Sequence, residues 1–222
     1  DYVGYWAAHN TVIVGHEGTD PTRLLADLTD IRLLQGWLSP SLFPGAGLSP
    51  LVHVGFRDEH ARTARTILAE VTALMGAANT TKVAVVGHSL GGALAELDAV
   101  YLALNLPRTL AAAGTEVGLN VSVRAVTFGK PRVGNAAWAA LVDKHVNVVP
   151  IVPPRALNYL HPRGEVHLLG PGDAVACPGN DDADDPQCQI KSVPSVFNGS
   201  VMDHLGPYEG IMIGTTSCVG PA

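Results

Sequence analysis

The chain has 222 residues, of which 47% are apolar and 15% are charged, and its formal net charge is −6 at pH 7. This apolar content excludes a disordered chain, and 14 basic against 20 acidic residues argue against a nucleic-acid-binding protein. No run approaches the ~18 apolar residues of a membrane-spanning helix, so no integral membrane association is expected. A single domain over residues 1–222 is therefore the expectation.

Predicted strands and helices alternate along the chain. The first strand, residues 11–14, is a β-branched run that ends at a glycine. The next element is a helix over residues 58–78, because its apolar residues recur on one face. Further on, the pattern predicts a strand at 82–86, a helix at 90–104, a strand at 121–128, a helix at 135–142, an extended segment at 146–149 and a strand at 165–169. Continuous apolar strands between helices indicate the α/β class, with a sheet covered on both faces.

One segment, residues 24–48, combines many large apolar residues with proline and glycine from residue 36 onward. A core helix would not contain so many helix-breaking residues, and a surface loop would not contain so many leucines. Two interpretations stay open. The segment either packs on the body of the protein or forms a mobile apolar flap over a binding site.

The strongest motif is Gly-His-Ser-Leu-Gly at residues 87–91, which matches the G-x-S-x-G pattern. The predicted strand before it and the predicted helix after it provide the strand–turn–helix setting of a nucleophile elbow. The motif therefore predicts that Ser89 is a nucleophile. The backbone N–H of Leu90 can stabilise an oxyanion, and the turn at residues 15–21 can place a second donor beside it.

A serine hydroxyl needs a histidine base, and three histidines occur late enough in the chain for the usual order. His161 precedes a proline, and His167 falls inside a predicted strand. His204 is followed by a Gly-Pro pair that marks a loop, the usual location of a catalytic base. His204 is therefore the predicted base.

Cysteine usage and glycosylation sequences indicate the compartment. Cys177 and Cys188 flank a polar loop that lacks an apolar anchor, which predicts a disulfide. Asn-x-Ser/Thr sequences begin at Asn79, Asn120 and Asn198, and together with the disulfide they indicate a secreted eukaryotic glycoprotein. No His/Asp/Glu/Cys cluster has metal-ligand spacing, so neither a metal nor another cofactor is expected.

The chain resembles the fungal class 3 lipases, which are secreted α/β-hydrolases that cleave triacylglycerols. Residues 161–167 and the loop between Cys177 and Cys188 are most similar to the mushroom-type members. This resemblance implies an α/β-hydrolase fold, with a mostly parallel central sheet, helices on both faces and an apolar lid. The matching stretches are residues 12–21, 52–56, 85–92, 128–135, 149–150 and 203–204.

The resemblance also assigns roles to single residues. It implies that Ser89 is the nucleophile, that His204 is the base, and that Thr19 and Leu90 form the oxyanion hole. It places the lid at about residues 22–48. The expected activity is hydrolysis of triacylglycerol through an acyl-enzyme, on lipid or ester substrates at an oil–water interface.

The third member of the triad departs from the family pattern. The family has aspartate two residues before a Val-Pro pair, and this chain has Asn147 there. The stretch before it is also shorter than in the family. Three explanations stay open: a segment that carries the aspartate is missing, the protein is a variant with Asn147, or another acid such as Asp143 replaces it.

The cysteines and Asn147 suggest further expectations. Family members begin with a section that carries a cysteine paired near the C-terminus, and Cys218 has no such partner here. We therefore expect that the chain lacks that N-terminal section. A feruloyl or short-chain carboxylesterase on the same skeleton is an alternative function, and Asn147 also permits a catalytically weak lipid-binding variant.

Overall fold

A computed structural model describes residues 1–18, 34–114, 120–146, 157–192, 204–208 and 210–213. Several residues named above lie outside this part of the chain, and their predicted roles stay predictions. They are Thr19, residues 22–33 of the predicted lid, Asn147, the extended segment from residue 147 onward, Asn198 and Cys218.

The described residues form eight strands and four α-helices. The strands are β1 (Tyr2–Trp6), β2 (Thr11–His16), β3 (Gln35–Trp37), β4 (Leu51–His53), β5 (Lys82–His88), β6 (Ser122–Phe128), β7 (Glu165–Gly170) and β8 (Asp173–Cys177). The helices are α1 (Val54–Ala78), α2 (Leu90–Ala112), α3 (Ala136–His145) and α4 (Gln189–Ser192), and a short 3₁₀ helix spans Ala7–His9.

The central sheet has the strand order β1-β2-β5-β6. β1 is antiparallel to β2, whereas β2, β5 and β6 are parallel to one another. Three consecutive residues of β5, Val83, Ala84 and Val85, are buried, which requires cover on both faces of the sheet. Helices lie on both sides of this sheet. The predicted α/β class and mostly parallel sheet are confirmed.

Two helices extend beyond their predicted bounds. α1 begins at Val54 rather than at residue 58, because the ring of His53 caps it by accepting a hydrogen bond from the Phe56 N–H (3.3 Å). α2 continues past residue 104 and through Pro107 to Ala112. Leu106 and Leu110 on that last part are buried, so core packing outweighs the hydrogen bond that the proline cannot donate.

The C-terminal part of the predicted lid belongs to the body of the protein. Leu38, Leu42 and Phe43 are buried in the main core, and the Phe43 ring lies 5.4 Å from His60 and 6.1 Å from Trp138. For residues 38–43 these contacts favour the first of the two interpretations, packing on the body of the protein. The other part of the predicted lid, residues 22–33, lies outside the described residues and stays a prediction.

The predicted Cys177–Cys188 disulfide is present, with an S–S distance of 2.04 Å. It closes a loop at the end of the β7–β8 hairpin, whose first strand confirms the strand predicted at residues 165–169. Arg132 binds Asp181 within this loop through two hydrogen bonds of 2.8 and 3.0 Å. The ion pair attaches the disulfide loop to the connection between β6 and α3.

The chain is anchored on both sides of residues 147–156. Before them, α3 presents Asp143, whose carboxylate accepts a hydrogen bond from the Arg163 N–H (2.6 Å). After them, the Leu160 N–H donates to the Gly134 carbonyl (2.9 Å), next to β4. The first of these hydrogen bonds joins the two flanks to each other, and the second fixes the later flank beside β4.

Candidate active site

Ser89 lies between the last residue of β5 and the first residue of α2. Its backbone has φ 55° and ψ −125°, a conformation that non-glycine residues rarely adopt. A Cβ at Gly87 would stand 2.1 Å from the Gly91 carbonyl oxygen, and one at Gly91 would stand 2.4 Å from the His16 carbonyl oxygen. The glycines of the motif are therefore needed for close backbone packing around a strained nucleophile elbow.

His204 reaches this serine, as the sequence predicted. Its Nε2 lies 3.0 Å from the Ser89 Oγ, so the hydroxyl can donate a hydrogen bond to the neutral ring. The other two candidate bases lie elsewhere. His161 is buried with its Nδ1 3.5 Å from the Lys130 Nζ, and the Nδ1 of His167 hydrogen bonds with the carbonyl of Gln187.

Two side chains hold the backbone of His204. His88 donates from Nε2 to the His204 carbonyl (2.8 Å), and the Tyr208 hydroxyl donates to the same oxygen (3.0 Å). The Tyr208 ring packs edge-on against Phe128 and His88, with ring centres 5.5 and 5.9 Å apart. We call these two donors, His88 and Tyr208, the carbonyl clamp. Sequence analysis missed it, because nothing in the local pattern links residue 88 to residues 204–208.

The electrostatics of the site keep both histidines neutral. Burial lowers the pKa of His204 to about 4, and the neighbouring His88 shifts it in the same direction. Burial also lowers the pKa of His88, although its hydrogen bond to the His204 carbonyl opposes this effect. At neutral pH His204 can therefore accept a proton from Ser89, while His88 keeps the ring N–H that it donates.

The backbone around the elbow also offers oxyanion donors. Leu90 is the first residue of α2, where N–H groups have no partner within the helix. The chain directly after β2 packs closely on the elbow. A Cβ at Gly18, two residues past the end of β2, would stand 2.7 Å from the His88 carbonyl oxygen. Thr19 follows directly and lies outside the described residues.

The chain matches the family described as "Lipase (class 3)" over residues 18–154, which is more than half of its length. It belongs to the class 3 lipase family. The resemblance inferred from the motifs is thereby confirmed.

Individual relatives agree with this family. The chain is 28% identical over 213 residues to a secreted mono- and diacylglycerol lipase of Malassezia restricta, with 89% of the chain and 61% of that protein covered. It is 31% identical over 196 residues to a lipase of Rhizomucor miehei, with 82% of the chain and 50% of that lipase covered. The chain thus spans about half to three fifths of the length of these curated relatives.

Solved structures confirm the α/β-hydrolase fold. The native propeptide complex of Rhizomucor miehei lipase has a TM-score of 0.74 at 28% identity, with 97% of this chain and 66% of that chain covered. A triacylglycerol lipase whose catalytic centre is formed by a serine protease triad also has a TM-score of 0.74. It is 26% identical, and the match covers 97% of this chain and 77% of that chain.

Asn147, which stands at the position of the family's third triad member, lies outside the described residues, and its role stays a prediction. The structure does not bring the alternative acid, Asp143, to the histidine. Its two carboxylate oxygens accept hydrogen bonds from the Arg163 N–H (2.6 Å) and the Asn180 side chain (2.8 Å). Within the described part of the chain, no carboxylate hydrogen bonds with the His204 ring.

A second histidine group, also missed by sequence analysis, lies in the core of the protein. The Asp98 carboxylate hydrogen bonds with the Nε2 atoms of His16 (2.6 Å) and His60 (2.8 Å), and all three side chains are buried. The Nδ1 of His16 lies 3.1 Å from the Asp1 carboxylate. Both ring nitrogens of His16 thus lie within hydrogen-bond distance of a carboxylate oxygen. We call His16, His60 and Asp98 the buried cluster.

The charge of Asp98 is stabilised by these partners. Burial alone would raise its pKa, but the hydrogen bonds from His16 and His60 lower it overall. In the buried cluster the Nε2 atoms of His16 and His60 hydrogen bond directly with the Asp98 carboxylate oxygens. Among the described residues, no set of three or more His, Cys, Asp and Glu side chains is arranged to hold a metal ion.

Proposed function

We propose that this chain is the catalytic part of a secreted serine ester hydrolase that cleaves acylglycerols, with triacylglycerol as the leading substrate. The observation that carries the proposal is the 3.0 Å approach of His204 Nε2 to Ser89 Oγ at a strained strand-to-helix turn. Secretion is supported by the secreted lipases among the relatives and by the disulfide.

The reaction begins when Ser89 Oγ attacks the acyl carbonyl carbon and His204 Nε2 takes the hydroxyl proton. The Leu90 N–H and Thr19 stabilise the negative oxygen of the tetrahedral intermediate. When the ester bond breaks, His204 gives the proton to the departing alcohol. A water molecule then attacks the acyl-enzyme by the same route in reverse and releases the fatty acid.

The low pKa of His204 fits the role of a base, because the ring is neutral before the reaction. The same environment opposes the imidazolium that forms during the reaction. In a complete triad a carboxylate stabilises that charge and holds the ring in the correct tautomer. An asparagine at position 147 would supply a hydrogen bond without the charge, so we propose that Asn147 limits the rate.

The proposal is tested by the release of fatty acid from emulsified triacylglycerol. We expect release by the native chain and a fall to background in Ser89→Ala, because no other described group can attack from the elbow. Ser39→Ala is the matched control, since Ser39 is a half-buried serine whose hydroxyl hydrogen bonds with the Ser41 hydroxyl. Equal rates for Ser89→Ala and the native chain would contradict the proposal.

Substrate class is tested within the same assay. The leucine-rich lid predicted at residues 22–33 favours long acyl chains at an oil–water interface over phenolic or short-chain esters. We expect faster hydrolysis of long-chain than of short-chain p-nitrophenyl esters. Faster cleavage of feruloyl or short-chain esters would favour the carboxylesterase alternative, and a preference for mono- and diacylglycerol would match the Malassezia relatives.

The second candidate function is lipid binding without turnover, and Asn147 is the observation that favours it. A fluorophosphonate probe separates the two, because it forms a covalent adduct only with an activated serine. Labelling of Ser89 supports the hydrolase, whereas binding of fatty acid without labelling at any probe concentration supports the binding protein. No described helix has the length and apolarity needed to cross a bilayer.

A further inference from the structure

Two glycosylation sequences lie side by side at the end of the central sheet where β5 and β6 begin. Asn79-Thr80-Thr81 ends immediately before β5, and Asn120-Val121-Ser122 runs into β6. Lys82 is paired with Ser122 in the sheet, and the Ser122 N–H donates to the Thr81 carbonyl (2.8 Å). Both sequences are therefore located where the parallel strands begin.

The surroundings of Asn79 suit a bulky modification. Asn79 is exposed at the C-terminal cap of α1, in the left-handed conformation (φ 48°, ψ 51°). Its neighbours Gly76, Ala77 and Lys82 are exposed too, and the position of a Cβ at Gly76 faces open space.

The backbone beside Asn79 is fixed, although the side chain is exposed. Thr80 is buried, and its hydroxyl donates to the Asn10 carbonyl. The Asn79 N–H donates to the Gly76 carbonyl (3.4 Å) within the end of the helix. The sequence motif is thus complete before β5 starts, on a rigid and accessible corner.

We propose that Asn79 carries an N-linked oligosaccharide. The Asn79 amide nitrogen forms a bond to C1 of the first sugar of a lipid-diphosphate-linked oligosaccharide. The sugar–diphosphate bond breaks, the lipid diphosphate departs and the amide loses one proton. The inference rests on the secretory route of the proposed function, because this donor is met only there.

The position of Asn79 separates the glycan from the chemistry. β5 runs seven residues from Lys82 to His88, directly before Ser89. At about 3.3 Å per residue this strand spans about 23 Å. The glycan therefore projects from the end of the sheet where β5 and β6 begin, whereas Ser89 and His204 lie at the opposite end. It leaves the approach of the substrate free.

The test uses the chain behind a secretory leader in yeast, with protein collected from the medium and from the cell lysate. An N-glycosidase in ¹⁸O-water converts a glycosylated asparagine to labelled aspartate, which peptide mass spectrometry locates. We expect the label at Asn79 and loss of one glycan in Asn79→Gln and Thr81→Ala. Thr81→Ser should keep the glycan, because serine also completes the sequence.

Asn120→Gln is the matched control for the neighbouring sequence. Recovery of the Asn79 peptide without label would overturn the proposal, as would a glycan that is lost in Asn120→Gln but kept in Asn79→Gln. Protein found only in the lysate would contradict secretion, yet its Asn79 peptide still decides the glycan. Enzymatic removal of the glycan should change ester hydrolysis by less than about twofold if the two sites lie at opposite ends.

Discussion

The two histidine groups of this molecule differ in what each histidine contacts. The half-buried His204 ring hydrogen bonds with Ser89, the proposed nucleophile, at the end of β5. No described carboxylate contacts this ring. His16 and His60 share the Asp98 carboxylate in the core, where no nucleophile takes part in the hydrogen bonds. A histidine–carboxylate pair is therefore no sign of catalysis by itself.

The difference follows from the cost of burying charge. A carboxylate buried away from water is strongly destabilising unless hydrogen-bonded partners surround it, and Asp98 has two such partners, His16 and His60. A catalytic histidine must instead gain and lose a charge in each turnover. Its ring therefore needs access to the substrate, and its hydrogen-bond partner must accommodate both charge states. We therefore expect changes in the buried cluster to act on stability and changes at the Ser89 site to act on ester hydrolysis.

The largest expected effect comes from giving His204 the partner that the buried histidines have. Asn147→Asp restores the family residue, and in a serine protease triad this exchange is worth roughly 10⁴ in kcat. We expect a gain approaching that factor with soluble p-nitrophenyl esters. Asn147→Gln is the control, since it changes size without adding charge. An unchanged rate in Asn147→Asp would point to a missing segment or another acid.

Removing the carboxylate from the buried cluster should act on stability. Asp98→Asn removes the charge from a buried carboxylate that hydrogen bonds with His16 and His60, and breaking a buried charged pair typically costs about 3–5 kcal/mol. Urea unfolding should show this loss, whereas Asp184→Asn on the exposed loop should leave the midpoint unchanged. Fluorophosphonate labelling per folded molecule should stay the same. Slower labelling of the folded Asp98→Asn protein would show that the two groups are coupled.

The same variant should change the response to acid. The lowered pKa of Asp98 means that its ionisation stabilises the folded state above the pKa of an unfolded aspartate, near 3.9. That contribution is lost as the pH falls from there through the folded pKa. Denaturation curves at several acidic pH values should therefore converge for Asp98→Asn and the native chain, and parallel curves would contradict this account.

A smaller effect is expected from the carbonyl clamp. Tyr208→Phe removes one of two donors to the His204 carbonyl, and a net hydrogen bond is worth about 0.5–1.5 kcal/mol. We expect kcat to fall by up to about tenfold with KM unchanged, because the base is positioned less well. Tyr5→Phe, which removes an exposed hydrogen bond to Asn10, is the control. Equal kinetics in both variants would exclude a positioning role.

The smallest effect concerns pH. With the His204 pKa at about 4, kcat/KM should stay level into mildly acidic solution and fall only as Nε2 becomes protonated. His88→Gln keeps an amide donor but removes a neighbour that lowers this pKa, so the acid limb should move up by less than about one pH unit. A native acid limb near pH 6.5 would contradict the burial of His204.

The elbow and the strands around it could be predicted from sequence because their signals are local. The glycines of residues 87–91 and the apolar run before them identify Ser89 and β5 without any other part of the chain. The disulfide was predictable for the same reason, since Cys177 and Cys188 bound one polar loop. His204 required the family order of residues as well.

The remaining features depend on contacts between distant parts of the chain. His16, His60 and Asp98 belong to β2, α1 and α2, and no periodicity links them. The packing of Phe43 into the core could not be separated from a lid, because both interpretations predict large apolar residues between prolines. The helix through Pro107 shows the same limit, since buried leucines on either side decided its length.

The hydrogen bonds that α3 and Leu160 form beside residues 147–156 have a consequence for how the proposed activity evolves. The hydrogen bonds of Asp143 with Arg163, and of Leu160 with Gly134, join described residues on the two sides of residues 147–156. We therefore expect a substitution at position 147 to leave the Ser89–His204 hydrogen bond and the core in place. On the proposed function, the rate of ester hydrolysis is then expected to vary with the residue at position 147 as a trait nearly independent of folding.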